Sequence, residues 1–142
     1  MKTLIVYSTK SGAAKEYAEM LAAKIENSTV CDLDKKMPNI RDFEMIIAGS
    51  GIRMGKAYKP FRSFLMDNTG VLLSRKTAFF LCGMTPGESQ KDIEKNIPGD
   101  LRAAAVCVRK FGGKQPFGKP ADQSWMSMEE IEEFAQLVNK TA

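Results

Sequence analysis

The sequence predicts one α/β domain over residues 1–142, a three-layer, doubly wound sheet of five parallel strands. Short apolar runs alternate along the chain with segments of helical periodicity, which is the pattern of a parallel sheet with crossover helices. The first run, residues 4–7, has no polar interruption and is typical of a strand that helices cover on both faces. With 142 residues the chain is long enough to bury a core of its own.

Five apolar runs are the predicted strands. They lie at residues 4–7, 29–33, 45–48, 77–82 and 103–108. Parallel neighbours need crossover connections, and the segments between these runs supply them. The alternation alone leaves the order of the strands in the sheet open. Ligands of such sheets bind outside the carboxyl ends of the strands, so the turns after the first, third and fourth strands are the candidate site.

Helical periodicity marks the segments between the strands and after the last one. The first helix has one apolar stripe, formed by Ala18, Leu21, Ala22 and Ile25. Pro60 suits the first turn of a second helix, and a shorter helix is predicted around residues 93–97. Ser127 and Glu130 have the spacing of a capping box at the start of the last helix. Residues 110–125, rich in glycine and proline, are predicted to be a long loop.

Charge is unevenly distributed along the chain. The net charge is +4, and the stretch from residue 45 to residue 66 contains no acid but carries Arg53, Lys56, Lys59 and Arg62. Residues 101–121 form a second cationic stretch without an acid. Such stretches predict either an ordinary solvated surface or a positive face for an anionic ligand or partner.

Residue types that are absent or sparse exclude several functions. The chain contains no histidine, which excludes Ser-His-Asp and Cys-His catalysis and imidazole metal sites. Its three cysteines, Cys31, Cys82 and Cys107, form no C-x-x-C pair, which argues against a disulfide framework and favours the reducing cytoplasm. No apolar run approaches the roughly 18 residues that span a bilayer. We therefore expect a cytoplasmic protein with no transmembrane segment and no nucleic-acid partner.

The turn after the first strand predicts an anion site. It lies where a strand opens into a helix, so that successive backbone N–H groups and the positive helix end face one point. No G-x-G-x-x-G pattern is present, so a terminal monophosphate fits better than the pyrophosphate of a dinucleotide. The alternative is a Ser/Thr-rich N-cap turn that binds nothing. The candidate residues are Ser8, Thr9, Lys10, Ser11, Gly12, Ala13 and Ala14.

The loop after the third strand is rich in glycine. Gly51 and Gly55 are one residue too close together for a Walker A loop, and a dinucleotide fingerprint belongs after the first strand. Glycines here allow the backbone to lie close against a flat ligand. Tyr58 would either stack on a ring of that ligand or pack against the neighbouring helix. The candidate residues are Ser50, Gly51, Ile52, Arg53, Met54, Gly55 and Tyr58.

The loop after the fourth strand contributes the third segment of the candidate site. Cys82 ends this strand at the expected ligand edge, but Glu88 stands where a phosphatase C-x5-R motif needs arginine. A buried, unreactive thiol is the favoured role for Cys82. The candidate residues are Cys82, Gly83, Met84 and Thr85.

Taken together, these residues resemble the flavodoxin family over essentially the whole chain. The family's phosphate turn, S/T-x-S/T-G-x-T, is matched by residues 9–14, TKSGAA. A flavodoxin-like branch that includes bacterial protoporphyrinogen oxidase is similar in more detail. Its turn begins FSTRDG where this chain has YSTKSG, and its loop G-x-S-I-R-x-G is matched by residues 49–55, with Gly51 in place of serine. Trp125 before the last helix is a further similarity.

The resemblance implies the strand order 2-1-3-4-5 and an FMN cofactor. The phosphate of FMN would lie on residues 9–14, and its isoalloxazine ring would lie between the loops after the third and fourth strands. The implied function is electron transfer with a redox partner protein or a small anionic substrate. Two alternatives stay open, a porphyrinogen-oxidising FMN enzyme and a flavin-free relative that binds proteins, and Ala13 and Ala14 favour the latter.

Three departures from the family pattern bear on these expectations. Ala14 stands in place of a threonine whose hydroxyl would bond the phosphate, so FMN is expected to bind roughly tenfold to hundredfold more weakly unless Lys10 compensates. The acidic loops of electron-carrying flavodoxins are absent. The basic, aromatic insertion of porphyrinogen-oxidising relatives is reduced to residues 112–125.

Overall fold

The computed structural model describes residues 1–35, 37–84, 89–114 and 125–141. In these ranges the strands are β1 (Thr3–Ser8), β2 (Ser28–Asp32), β3 (Met45–Arg53), β4 (Lys56–Ala57), β5 (Lys76–Cys82) and β6 (Cys107–Phe111). The helices are α1 (Ala13–Lys24), α2 (Lys59–Asp67), α3 (Thr69–Leu73), α4 (Ser89–Asn96), α5 (Gly99–Ala104) and α6 (Met128–Lys140). A short 3-10 turn covers Ile40–Asp42.

The sheet has the order β2-β1-β3-β5-β6, and each of these neighbouring pairs is parallel. Since β5 and β6 correspond to the fourth and fifth predicted strands, the predicted order 2-1-3-4-5 is confirmed. The register aligns the carboxyl ends of the strands. Ser8 of β1 pairs with Ser50 of β3, and Cys82 of β5 pairs with Phe111 of β6. The turns that follow these strands therefore meet at one edge of the sheet.

Helices cover both faces of the sheet, as the doubly wound class requires. On one face α1 and α6 pack through buried side chains that include Tyr17, Leu21, Phe134 and Val138. On the other face α2, α3 and α5 contribute Phe61, Phe64, Leu72 and Leu101. All six residues of β1 are buried between these layers, which accounts for its uninterrupted apolar pattern. None of the helices in the described ranges combines the length and the apolar character that a membrane-spanning segment needs.

The predicted fifth strand, residues 103–108, is wrong in its first half. Residues 99–104 form α5, and β6 begins only at Cys107. Residues 103–105 are three alanines, and alanine has the highest helix propensity of all residues. The chain joins the sheet at Val106, whose N–H donates to Thr77 O at 2.7 Å.

The predicted capping box at Ser127 and Glu130 does not form. Ser127 precedes α6 but makes no side-chain cap, because its Oγ accepts from the N–H of Gly112 at 3.0 Å. This hydroxyl therefore joins the end of the sheet to the start of α6. Of the loop predicted at residues 110–125, the first two residues end β6, and residues 115–124 lie outside the described residues.

Candidate functional site

Segments from all three predicted parts of the site meet at the carboxyl edge of the sheet. Residues 8–14 lead from β1 into α1, residues 50–58 hold the end of β3 and a hairpin with β4, and residues 82–84 follow from β5. A fourth segment, residues 112–114 after β6, lies against them, since a Cβ added to Gly113 would be 2.8 Å from the Cα of Gly83. Thr85 lies outside the described residues.

The turn between β1 and α1 enters the helix through a glycine with left-handed backbone. Thr9 Oγ1 accepts from the N–H of Gly12 at 2.9 Å. Gly12 is the N-cap residue, has φ 94° and makes no side-chain cap, and glycine adopts this left-handed backbone without strain. The first N–H groups of a helix have no partner within it, and they form the positive end of its dipole. The turn is therefore suited to a compact anion such as a phosphate.

The remaining residues of this turn divide between the core and the surface. Ser8, Ala13 and Ala14 are buried, and the two alanines carry no side-chain polar group that could bond an anion. Ser11 Oγ accepts a long hydrogen bond of 3.4 Å from the N–H of Ala13. Lys10 is exposed, and its Nζ lies 4.9 Å from the centre of the Tyr58 ring. The ammonium of Lys10 thus points along the edge toward the loop after β3.

Lys114, which was not among the site residues predicted from the sequence, lies beside the turn. A Cβ added to Gly12 would be 3.4 Å from Lys114 Nζ. The same ammonium pairs with Glu16 near the start of α1 and lies 5.2 Å from the centre of the Trp125 ring. Lys114 follows β6 and reaches α1 only because the chain crosses back over the sheet edge. The only sequence feature that pointed to Lys114 is its position in the cationic stretch of residues 101–121.

Tyr17 holds this crossing segment in place. Its hydroxyl donates to Gly112 O at 2.6 Å and accepts from the N–H of Ser127 at 3.4 Å. Its ring centre lies 4.9 Å from that of Phe111 and 5.5 Å from that of Trp125. Burial raises the pKa of the Tyr17 hydroxyl, so the group stays protonated and able to donate. Helix α1 therefore begins at the turn of residues 9–14 and also holds the segment that carries Lys114.

The end of β3 forms a hairpin with β4 that the sequence analysis did not predict. Arg53 pairs with Lys56, and the two residues between them, Met54 and Gly55, have φ 54° and 78°. Two-residue turns of this kind require left-handed φ at both positions. Met54 therefore carries roughly 1–2 kcal/mol of backbone strain, and its side chain is 92% exposed. A strained, exposed apolar residue at a ligand edge is typical of a functional loop.

Tyr58 covers Gly51 at the base of the hairpin. A Cβ added to Gly51 would be only 2.7 Å from Tyr58 Cε2. The N–H of Tyr58 donates to Ser50 Oγ at 3.1 Å, which fixes the backbone under the ring. A serine at position 51 would displace this ring, which explains the glycine there. Burial raises the pKa of the Tyr58 hydroxyl, so the ring is uncharged at neutral pH.

The end of β5 and the loop after it contain a buried side chain, Cys82, and an exposed one, Met84. Cys82 is 2% exposed, and its Sγ donates to Ser50 O at 3.6 Å. Burial raises the pKa of this thiol to about 12, although Lys110 nearby lowers it. A Cβ added to Gly83 would be 3.3 Å from Ile52 Cβ, so the loops after β3 and β5 are in close contact. Met84 is half exposed and, with Met54, gives this edge two exposed methionines on facing loops.

A buried ion pair lies beneath the two loops. Lys110 Nζ of β6 donates to Asp92 Oδ2 of α4 at 2.6 Å, and their side chains are 1% and 3% exposed. One turn later on α4, Asn96 bonds the hairpin, because its Oδ1 accepts from the N–H of Ala57 at 2.8 Å and its Nδ2 donates to Gly55 O at 3.0 Å. This polar network links β6, α4 and the hairpin.

The described residues form a cavity beside the loop after β5 and a groove along α2. A cavity of about 290 Å³ opens between the end of β6 and the start of α6, lined by Met84, Lys110, Trp125 and Glu130 among others. A groove of about 480 Å³ runs along α2 beside residues 37–41, away from the carboxyl edge.

Comparison with known proteins assigns the chain to a family. The family model described as a flavodoxin domain matches residues 4–116, most of the chain. This chain belongs to the flavodoxin family. The assignment agrees with the strand order of the sheet. The described residues of the three predicted segments lie at the carboxyl edge of this sheet.

Individual relatives extend this comparison. Protoporphyrinogen IX dehydrogenase (quinone) of Escherichia coli K12 is 26% identical over 96 residues, which make up 64% of this chain and 53% of the relative. The flavodoxin domain spans about half the length of the curated relatives it matches. A flavodoxin of Streptococcus pneumoniae TIGR4 is 15% identical with a TM-score of 0.66, covering 100% of both chains. A flavodoxin of Fusobacterium nucleatum bound to flavin mononucleotide is 12% identical with a TM-score of 0.60, covering 99% of both.

Cys82 of the flavodoxin domain is expected to resist alkylation in the folded protein. At about pH 8 a thiol with an ordinary pKa is partly ionised, whereas the Cys82 thiol, with its pKa of about 12, stays protonated and buried. Burial and the nearby Asp32 raise the pKa of Cys31 as well, so its accessibility is what favours its reaction. Iodoacetamide should modify the partly exposed Cys31 first and reach Cys82 only after unfolding in urea. Peptide mass spectrometry measures both sites in one sample. Equal labelling rates at Cys31 and Cys82 before unfolding would contradict the prediction.

Proposed function

We propose that this flavodoxin domain binds FMN at the carboxyl edge of its sheet and transfers electrons to and from redox partners. The observation that carries the proposal is the turn of residues 9–14, where Gly12, with φ 94°, opens the positive end of α1 beside Lys114. A phosphate monoester has the size and the double negative charge that such a turn accommodates. The fold shared with a Fusobacterium nucleatum flavodoxin bound to flavin mononucleotide supports the choice of cofactor.

The residues present fit such a cofactor. Lys114, which pairs with Glu16, places an ammonium group near the proposed phosphate position. Tyr58, Met54 and Met84 offer aromatic and polarizable apolar surface to a flat ring at the two loops. Bound FMN would supply the redox chemistry, and the residues of the chain bind it, orient it and set the charge around it.

A titration with FMN tests the proposal directly. Fluorescence of FMN should be quenched as the protein is added, with a measurable dissociation constant and a yellow complex after gel filtration. Riboflavin, which lacks the phosphate, is the matched ligand control. It should bind at least about tenfold more weakly, because it makes no charge-assisted hydrogen bonds with the turn. Failure of FMN to associate at millimolar excess would remove the proposal and favour a flavin-free, protein-binding role.

Arg53 and Lys56 are expected to raise the reduction potential of bound FMN. Reduced flavin is anionic near neutral pH, and both side chains are exposed on the hairpin beside the proposed ring position. The variant Arg53→Gln/Lys56→Gln should therefore lower the potential on the order of tens of millivolts. Lys140→Gln, at the end of α6 near the start of β5, removes a charge at the opposite edge and should leave the potential unchanged. Photoreduction titrations measure the reduction potential of FMN in the unchanged chain and in both variants. Equal potentials in the unchanged chain and in Arg53→Gln/Lys56→Gln would refute the effect.

The positive charge at the carboxyl edge of the sheet favours a negatively charged partner. Exposed cations at this edge are Lys10, Arg53, Lys56, Lys59 and Lys95. A redox protein with an acidic surface, or a small anionic substrate, is the complementary partner. Electron transfer to such a partner should slow as ionic strength rises, because the exposed charges are screened.

A second candidate function rests on the similarity to E. coli protoporphyrinogen IX dehydrogenase (quinone). In this candidate the positive edge receives an anionic porphyrinogen, and electrons pass to a quinone. Turnover of protoporphyrinogen with a quinone, assayed with FMN-loaded protein, distinguishes this enzyme from a simple electron carrier.

A further inference from the structure

The contacts of Asn96 single it out from the other polar residues behind the site. It is 6% exposed, and its side chain makes three hydrogen bonds. Two of them hold the hairpin on either side of Lys56, through Gly55 O and the N–H of Ala57. The third, from Nδ2 to Asp92 O at 2.8 Å, ties the amide group to its own helix and fixes its orientation.

The helix that carries Asn96 is itself anchored to the sheet. Asp92 is paired with Lys110 of β6 in a buried contact of 2.6 Å. The hairpin is therefore connected to the central sheet at its base through β3 and near its tip through Asn96, α4 and Lys110. A strained turn persists only where its surroundings hold it, and the turn at Met54 and Gly55 has left-handed φ at both residues.

We propose that Asn96 is a positioning residue that clamps the hairpin beside the cofactor and so sets both the affinity for FMN and its reduction potential. This inference rests on the proposed function. Asn96 acts through the hairpin and makes no contact with the cofactor itself. Its loss frees the hairpin at its tip, so that Arg53, Met54 and Lys56 no longer have fixed positions relative to the ring.

The first arm of the test needs no flavin. In Asn96→Ala, hydrogen exchange at the Ala57 amide should accelerate by about tenfold, since each lost hydrogen bond changes the opening equilibrium by roughly threefold to tenfold. Alanine is a better helix former than asparagine, so melting of α4 does not account for the change. Asn96→Ser is a milder second variant, in which exchange at the Ala57 amide should also accelerate. If the exchange rate at the Ala57 amide is unchanged in both variants, Asn96 does not hold the hairpin and the proposal is wrong.

The second arm uses the FMN-loaded protein. Asn96→Ala should weaken FMN binding by about threefold to tenfold and shift the potential in the same direction as Arg53→Gln/Lys56→Gln. Val138→Ala is the matched control, because Val138 is fully buried in the opposite layer and its loss destabilises the fold without contacting the hairpin. A merely structural role for Asn96 predicts that the two variants behave alike in potential and affinity, and that result would refute positioning.

The two proposals fail in distinguishable ways. If the unchanged chain binds no FMN, the proposed function and the cofactor role of Asn96 both fail, while the exchange arm still reports whether Asn96 holds the hairpin. If FMN binds and its potential is the same in Asn96→Ala and the unchanged chain, the function stands and the positioning role of Asn96 is wrong.

Discussion

Replacing Lys110 with methionine is expected to lower the free energy of unfolding by about 3–5 kcal/mol. The substitution removes the cation and leaves the carboxylate of Asp92, 2% exposed, buried beside the site without it. Methionine has nearly the same length as the apolar part of lysine, so packing changes little. Urea denaturation followed by circular dichroism measures the loss. A cost below about 1 kcal/mol would mean that water screens the pair.

Two controls separate the buried pair from ordinary surface charge. The double variant Lys110→Met/Asp92→Leu removes both charges and should recover most of the lost stability, because well-packed apolar residues often replace a buried pair without cost. Lys24 pairs with Glu132 at the same distance, 2.6 Å, but with side chains that are 34% and 52% exposed. Lys24→Met should therefore cost less than about 1 kcal/mol.

Gly12→Ala is the substitution expected to damage FMN binding most selectively. Alanine at φ 94° costs roughly 1–2 kcal/mol, and relief of that strain would move the start of α1 relative to the proposed phosphate position. The added methyl would also be 3.4 Å from Lys114 Nζ. We expect the dissociation constant for FMN to rise by about tenfold to hundredfold. Fluorescence titration measures it.

Gly70 provides the matched control for this experiment. It lies in α3, and a Cβ added there has no neighbour within 4 Å. Gly70→Ala should raise the free energy of unfolding by about 0.5–1 kcal/mol and leave FMN affinity unchanged. If Gly12→Ala and Gly70→Ala bind FMN equally well, the phosphate does not lie on the turn after β1.

The parts of the fold that were predictable from the sequence are those encoded by local pattern. The apolar run of β1 and the helical stripe of α1 predict buried elements because each needs only its own residues to be recognised. The three segments of the site follow from topology, since parallel strands end at one edge. The alanines at residues 103–105 mislead because an apolar run suggests a strand, whereas Ala103 and Ala104 are exposed at the end of α5 and alanine favours helix.

The contacts that complete the site were not predictable in this way. Lys114 lies beside Gly12 because Tyr17 and Ser127 hold the segment after β6 across the edge, and no spacing in the sequence encodes that crossing. The pairing of Asp92 with Lys110 joins a helix to a strand that follows it, and charged residues so placed are ordinarily surface residues. Tyr58 and Gly51 were both identified, but their direct contact depends on the hairpin turn.

The position of Lys114 late in the chain also affects when the proposed phosphate site can form during synthesis. The first helix supplies the amides and emerges early, whereas the cation arrives with the segment after the last strand of the sheet. Domains fold as units, and contacts distant in sequence form late. In a growing chain the proposed phosphate site therefore stays incomplete until β6 has joined the sheet and α6 has docked. Cofactor loading should then follow folding of the whole domain, and FMN would stabilise only the finished structure.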